Sequence, residues 1–443
     1  FDSTRKRMTT VHKIDGNKVS YVKGAPDIIL NLCDKLIIDG KIRKLDDFWK
    51  RKIMKVTEDL SNDALRVLGF AYKEVSGKDY ENNLIFVGLQ GMIDPPREEV
   101  KEAIKKCKTA GIRVIMITGD YKGTAVAIAR ELGIVGKAIT GAEIKDINLD
   151  KEIEHIGVYA RVNPEHKMQI INALKKKGHV VAMTGDGVND APALKASDIG
   201  IAMGITGTDV AKEASGMILT DDNFASIVNA VEEGRGVYDN IRKYFSFLIS
   251  GNISEVIIVT LGIIFGWPLI LSATQILFIN LVTDGLPAVA LSADPFEPNA
   301  MNRKPRNKKE SIYSGLTPFI IYIPIIITTV SMAMFAWFYF GEGNLLKAQT
   351  AAFITISMFE LFLAFSCSSI IYPIFKVGLF KNKWLILSVL TSLIITFGLM
   401  FIPSIGNTLG IVSLTMTEIA AIILLSSSGA VFIEIWKYLK HEI

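Results

Sequence analysis

Cysteine is scarce: Cys33, Cys107 and Cys367 stand far apart in 443 residues, with no C-x-x-C pair and no histidine beside them. That spacing suggests neither a disulfide framework nor a zinc site, and it suits soluble sequence kept in a reducing compartment. An excess of one charge is also missing. Forty-nine Lys and Arg face 45 Asp and Glu, a net of +4, so there is no basic stripe and a nucleic-acid partner is set aside. No initiator methionine or signal-like segment precedes the strand and loop sequence that starts at Phe1, so the chain reads as a fragment. What it has in quantity is apolar sequence. Half of the residues are hydrophobic, too many for a purely soluble protein of this length.

The apolar residues are unevenly spread. Residues 1 to about 240 alternate charged and apolar positions in globular fashion, while six long apolar stretches follow, at roughly 241–265, 270–292, 316–340, 349–372, 384–403 and 411–436. Each is long enough to cross a hydrocarbon core of about 30 Å. The boundary falls near Asp239. Lysines and arginines cluster after the second stretch (Arg303, Lys304, Arg306, Lys308, Lys309), after the fourth (Lys376, Lys381, Lys383) and in the tail (Lys437, Lys440). The opposite loops, around Gly266, Gly341 and Gly406, hold Lys347 alone. The positive-inside rule then predicts a multi-pass protein in a lipid bilayer, with its soluble part, basic loops and C-terminus all cytoplasmic.

Within the soluble part, Ile112 to Ile117 and Val180 to Met183 read as buried strands, with a helix at Gly123 to Leu132 between them. Strands alternating with helices predict a parallel α/β sheet, whose ligands sit at the C-terminal strand ends. Thr184-Gly185-Asp186-Gly187-Val188-Asn189-Asp190 follows the second strand. Asp186 and Asp190 are hard oxygen ligands suited to Mg2+ in phosphoryl transfer. Thr118-Gly119-Asp120 ends the first strand in the same way, offering a hydroxyl and N–H groups to a phosphoryl oxygen. Lys167, at the opening of a helix in Arg161-Val162-Asn163-Pro164-Glu165-His166-Lys167, supplies a cation against developing negative charge.

These motifs resemble those of the P-type cation-transporting ATPases, and the resemblance runs along the whole chain. It rests on Asp94-Pro95-Pro96-Arg97, Met116-Ile117-Thr118-Gly119-Asp120 and Thr184 to Pro192. Lys23-Gly24-Ala25-Pro26 looks like the family's nucleotide-binding signature. The resemblance implies part of an α+β nucleotide-binding domain over 1–91, then an α/β haloacid-dehalogenase-like phosphorylation domain over 92–238. An all-α membrane domain of six helices would follow over 239–443. It implies catalytic roles for Thr118, Lys167, Asp186, Asn189 and Asp190, the two aspartates holding Mg2+. It also implies nucleotide contacts from Phe1, Lys6, Lys23, Arg66, Thr118, Gly119, Asp120, Arg161, Lys167 and Asn189. An aromatic face stacks on adenine and basic groups neutralise phosphates, although Phe1 reads equally well as a strand's core residue. The family's Asp-Lys-Thr-Gly-Thr, whose aspartate takes the phosphoryl group, and its Thr-Gly-Glu segment occur nowhere in the sequence. This polypeptide alone is therefore expected to be inactive, and its natural partner is the N-terminal half of the same pump.

Carboxylates inside a membrane are costly and mark ion paths. Asn252 and Glu255 are spaced i, i+3 in the first stretch, and Asn280, Thr283 and Asp284 i, i+3, i+4 in the second, each set predicted to share a helical face. Gly285 and Pro287 follow at once, as happens where backbone lines a cavity. Two carboxylates, two amides and a hydroxyl form a hard oxygen set suited to Ca2+, and the lack of imidazole or thiolate disfavours Zn2+ and Cu+. Ile249 to Val256 and Asn280 to Pro287 are similar to the corresponding segments of the sarco/endoplasmic reticulum calcium pumps. Against that pattern Glu360 falls out of register, with Ile370 where those pumps carry a late-span glutamate, which favours one ion per cycle.

The sequence is thus expected to be the later half of an ATP-driven pump exporting Ca2+ from the cytoplasm, with ATP as substrate and Mg2+ as cofactor. Protons would travel the other way, since carboxylates left empty in a low-dielectric bundle need their charge balanced. In a prokaryote the membrane would be the plasma membrane. A pump for Na+ or another hard cation, and a non-pumping subunit that binds nucleotide, are the alternatives.

Overall fold

A computed structural model describes residues 5–441 except 64, 76, 78, 93–95, 298 and 403–405. Phe1, Asp94 and Pro95 lie outside the described residues. The chain divides into two compact units, one running to Asn229 and including Met301–Lys308, the other made of Ala230–Ala300 and Lys309 onward.

The first unit opens with a six-stranded sheet of β1 (Arg7–Ile14), β2 (Asn17–Gly24), β3 (Cys33–Ile38), β4 (Lys41–Lys44), β5 (Arg66–Val75) and β6 (Leu84–Met92), in the order β1-β2-β5-β6-β3-β4. Its hairpins are set by two Asp-Gly pairs. Asp15-Gly16 and Asp39-Gly40 all have positive φ, which is what a two-residue loop matching the strand twist requires. Between the strands, α1 (Pro26–Leu32) and α2 (Asp47–Asn62) supply Ile29, Leu30, Trp49, Ile53 and Met54 to a core with Val22, Leu36, Leu84 and Phe86. Asp46 caps α2 by accepting from Trp49 N–H at 3.0 Å. Burial pushes the Cys33 thiol up to about 12, reinforced by Asp34 and only partly offset by Lys50. It is an inert core residue.

The rest of this unit alternates α3 (Glu98–Thr109), β7 (Met116–Ile117), α4 (Lys122–Leu132), β8 (Lys137–Thr140), α5 (Leu149–Glu152), β9 (Ile156–Ala160), α6 (Pro164–Lys176), β10 (Ala182–Gly185), α7 (Ala191–Ala196), β11 (Ile199–Met203), α8 (Asp209–Glu213) and β12 (Met217–Leu219). All pairings here are parallel, as expected, but they form two three-stranded sheets, β7-β9-β8 and β10-β11-β12. The predicted strand at Ile112 to Ile117 shrinks to Met116–Ile117, the two residues that pair with Val158 and Tyr159. The second predicted strand moves forward to Ala182–Gly185, because Thr184 and Gly185 pair with Ile201 and Ala202. Ile117 and Val181 pack against the buried clusters of both sheets. The loop after β7 and the loop after β10 therefore leave from one core.

Among the described residues six helices are long and apolar enough to cross a membrane, and all but the first turns of the first belong to the second unit: Phe224–Ile264, Ala273–Ser292, Pro318–Glu342, Leu345–Ser366, Lys383–Phe401 and Met416–Lys440. The number matches expectation and several ends do not. The first helix starts well before residue 241 and is continuous for 41 residues, its early turns being polar. Ser272, Asn344, Asn382 and Thr415 each cap a following helix with a side-chain oxygen, which moves those starts. Lys437, read as a tail charge, is buried in the sixth span, where its Nζ donates to Ser366 O at 2.5 Å and to Glu434 Oε1 at 2.8 Å. The core is built around Phe247, Phe319, Phe335, Phe353 and Phe359, and the fourth span is the most enclosed of the six.

Candidate nucleotide and ion sites

β10 ends on Gly185, and the chain then turns so sharply that a Cβ on Gly185 would lie 2.5 Å from the Asp190 Cβ. Only glycine permits that approach. Asp190 is buried there, its Oδ2 accepting from the N–H groups of Asp186 and Gly187 at 3.2 Å each, while Oδ1 pairs with Lys167. Lys167 comes from the first turns of α6, where Pro164 opens the helix and Asn163 and His166 form a capping box. A cation gains nothing from the dipole at a helix N-terminus, and Asp190 compensates it. Burial would raise the Asp190 carboxyl, but the hydrogen bond from Lys167, the Gly187 N–H, the Lys167 charge and the Asp186 N–H together hold it below its ordinary value. Asp186 and Asn189 are exposed, and Asp186 O accepts from Thr208 N–H at 2.8 Å.

In the neighbouring loop Thr118 N–H donates to Tyr159 O at 2.9 Å. The Thr118 hydroxyl donates to Asp120 Oδ2 at 2.9 Å and accepts from the Asp120 N–H at 3.1 Å. Beside it lies a cleft of about 790 Å³, lined by Lys6, Arg66, Gly119, Asp120 and Arg161 of the predicted nucleotide set, together with Arg51 and Lys55 of α2. Gly24, Ala25 and Pro26 also line it, and the preceding Lys23 is exposed on β2. Five residues predicted from separate stretches thus share one cavity with two cations that sequence reasoning missed. Arg51 and Lys55 share a face of α2 at i, i+4, but nothing in an ordinary amphipathic helix distinguishes them from solvated residues.

In the second unit Glu255, Thr283 and Asp284 are buried. Asn280 reaches Glu255, its Nδ2 lying 3.2 Å from Oε2, and also donates to Ile276 O at 3.0 Å. Asn252 departs from expectation: like Asn280 it is exposed, but its amide donates to Leu248 O at 2.8 Å on its own helix instead of reaching an acid. Positions i and i+3 are about 60° apart around a helix, and here the buried side falls on Gly251, Ser254 and Glu255. Glu360, which sequence set apart, is fully buried and joins the cluster, with Thr283 Oγ1 3.0 Å from its Oε2. A Cβ on Gly251 would lie 2.9 Å from Glu360 Oε1 and 3.6 Å from Asp284 Oδ2, so the missing side chain makes room for both carboxylates. Ile370 instead packs against the apolar core. Both Asp284 oxygens and Glu360 Oε1 are buried, and among the described residues no amide, hydroxyl or cationic donor reaches them. Ile279–Asp284 is a π-helical turn, a local irregularity frequent at functional sites. Among the described residues no three His, Cys, Asp or Glu side chains form a ready metal cage.

Two family models match the chain: P-type ATPase, cytoplasmic domain N, over residues 1–99, and cation transporting ATPase, C-terminus, over residues 268–439. The chain belongs to the P-type cation-transporting ATPases. Among relatives of this family, Calcium-transporting ATPase 1 of Bacillus cereus is 46% identical over 100% of this chain and 53% of its own length. Calcium-transporting ATPase 1 of Lactococcus lactis is 44% identical over 88% of this chain and 45% of its own. The protein of that name from the yeast Yarrowia lipolytica is 36% identical over 99% and 49%. The chain spans about half the length of the curated relatives it matches.

Proposed function

We propose that this chain is the C-terminal half of an ATP-driven Ca2+ pump that moves Ca2+ out of the cytoplasm, with H+ carried in return. The observation that carries the choice of a hard cation is the pair of buried carboxylates Asp284 and Glu360 beside Thr283, where among the described residues no amide, hydroxyl or cationic donor reaches either Asp284 oxygen or Glu360 Oε1. Unsatisfied acids in a membrane bundle are expensive and persist where a cation completes them. Ca2+, as the transported substrate, takes six to eight oxygens, which carboxylates, Thr283, Asn280 and backbone carbonyls can supply. The calcium-transporting relatives support the same ion.

On the soluble side, ATP would occupy the cleft with Lys6, Arg66 and Arg161 against its charges. Lys23 would lie toward the nucleoside, and Thr118, Gly119 and Asp120 at the phosphates. Phe1, proposed to stack on adenine, lies outside the described residues. Mg2+, when bound, supplies charge neutralisation at the transferring phosphoryl group. Asp186, exposed at the strand end, fits as its ligand. Asp190 is occupied by Lys167 and two N–H groups, so it orders the loop and keeps Lys167 in place, with Asn189 alongside. The acceptor aspartate would come from the N-terminal half. The basic loops support a cytoplasmic soluble part and C-terminus by the positive-inside rule, and in a prokaryote the membrane would be the plasma membrane.

The test uses the full-length pump. Phosphoenzyme formation and ATPase activity are titrated separately with Ca2+, Na+, K+ and Mn2+, in wild type and in Asp186→Asn. Activation by Ca2+ at micromolar concentration, and loss of phosphoenzyme with ATP binding retained in the variant, is the expected result. Activation by Na+ and not by Ca2+ would overturn the ion, and normal phosphorylation of the variant would overturn the Mg2+ assignment.

A further inference from the structure

Tyr121 has no part in the assignments above, yet it lines the same cleft as Arg161 and Asp27. It sits between the Thr118-Gly119-Asp120 loop and α4, and is 43% exposed, which is unusual for a residue that only fills a core. The Arg161 guanidinium lies over its ring, 5.1 Å from the centroid, within the range of a cation–π contact. Arg161 has φ of +49°, a conformation uncommon for arginine, and its N–H donates to Asp120 O at 3.0 Å. The backbone is thus fixed by the phosphate loop and the side chain is laid on the ring that follows that loop. Among the described residues the carboxylate paired with Arg161 is Asp27, with Nη1 to Oδ2 at 4.0 Å and both side chains partly exposed. A contact of that length is weak, and phosphate oxygens, which accept paired hydrogen bonds from a guanidinium, would displace it.

We propose that Tyr121 is a positioning residue for nucleotide binding: its ring holds the Arg161 guanidinium in the cleft, where it exchanges Asp27 for the phosphate chain of ATP. This rests on the reading that the cleft binds nucleotide. The consequence is an effect confined to ligands with phosphates. An arginine free to rotate loses affinity for ATP, while a nucleoside lacking phosphates has nothing to lose.

The experiment measures ATP, ADP and adenosine binding calorimetrically to the whole 443-residue chain in detergent. Tyr121→Ala should weaken ATP and ADP about three- to fivefold, the scale of a partly exposed cation–π contact, and leave adenosine unchanged. Tyr121→Phe keeps the ring and should stay within about twofold of wild type. On an Arg161→Ala background, Tyr121→Ala should cost nothing more. Equal losses for adenosine and ATP would place the ring on the base instead and overturn the proposal. So would additive losses with Arg161→Ala, or wild-type affinity in Tyr121→Ala. A wild-type chain that binds no ATP would remove the nucleotide reading itself, and this inference with it.

Discussion

Thr283 and Glu360 meet although 77 positions separate them, Thr283 Oγ1 lying 3.0 Å from both Glu360 Oε2 and Ile279 O. The contact joins the second and fourth spans beside Asp284. It makes Glu360 part of the proposed ion site and predicts that Glu360→Gln, which keeps size and shape, lowers apparent Ca2+ affinity by on the order of tenfold, because ligand charge sets Ca2+ binding. Thr283→Ala should act in the same direction and also destabilise the membrane unit by about 1–3 kcal/mol, the cost of stranding a buried polar partner. Ca2+-dependent ATPase activity and thermal unfolding of the full-length pump check the two effects. Unchanged Ca2+ dependence in Glu360→Gln would remove Glu360 from the site.

Gly185 and Asp190 make the second prediction, since the 2.5 Å approach leaves no room for a methyl group. Gly185→Ala must push Asp190 away from Lys167 and from the N–H groups it accepts, costing about 1–3 kcal/mol as overpacking does and slowing phosphoenzyme formation. Asp190 also gives the loop an acid limit. Its carboxyl titrates below its ordinary value when folded, so its contribution is complete above the unfolded value of 3.8 and disappears as pH falls through the lower folded one. Acid unfolding of the soluble part followed by circular dichroism should show Asp190→Asn less stable near neutral pH, with the gap to wild type closing below about pH 4.

The six apolar spans and the glycine-permitted turn from Gly185 to Asp190 were legible in the sequence, since glycine and aspartate spacing and unbroken apolar length are local signals. The helix starts were less legible. Caps such as Asn344 and Thr415 move an end by several residues without altering the apolar run around them. The geometry of the proposed ion site was legible in part. The i, i+3 and i+4 spacing put Asn252 with Glu255, and Asn280 with Thr283 and Asp284, on shared helical faces, but a 60° step around the helix separates a buried Glu255 from an exposed Asn252, and spacing alone does not resolve it. Glu360 needed the fold, because its partner comes from another span. The division of the parallel strands into two sheets was hidden as well, since strand order depends on pairing that no local pattern encodes.

If Ca2+ is carried as proposed, something must replace it on these acids when it leaves. Glu255, Asp284 and Glu360 are all buried, and the neutral groups bonded to them there, the Asn280 amide and the Thr283 hydroxyl, cannot offset three negative charges. Bare carboxylates at such depth are too costly to persist through a cycle, and protons are the counter-ions small enough to take the place of Ca2+ on the same oxygens. Transport should then be an exchange: protons leave for the cytoplasm when Ca2+ binds and enter from the far side after Ca2+ is released. Competition for the same oxygens fixes the sign, so raising cytoplasmic pH strengthens Ca2+ binding and acidification weakens it. Asp284→Asn removes one of the competing oxygens' charges, and should both cost most of the Ca2+ affinity and flatten this pH dependence. The full-length pump reconstituted in vesicles, with a pH-sensitive dye and a protonophore control, measures both fluxes. Ca2+ uptake with no opposing proton movement would mean that another cation balances these acids, and would end the exchange model.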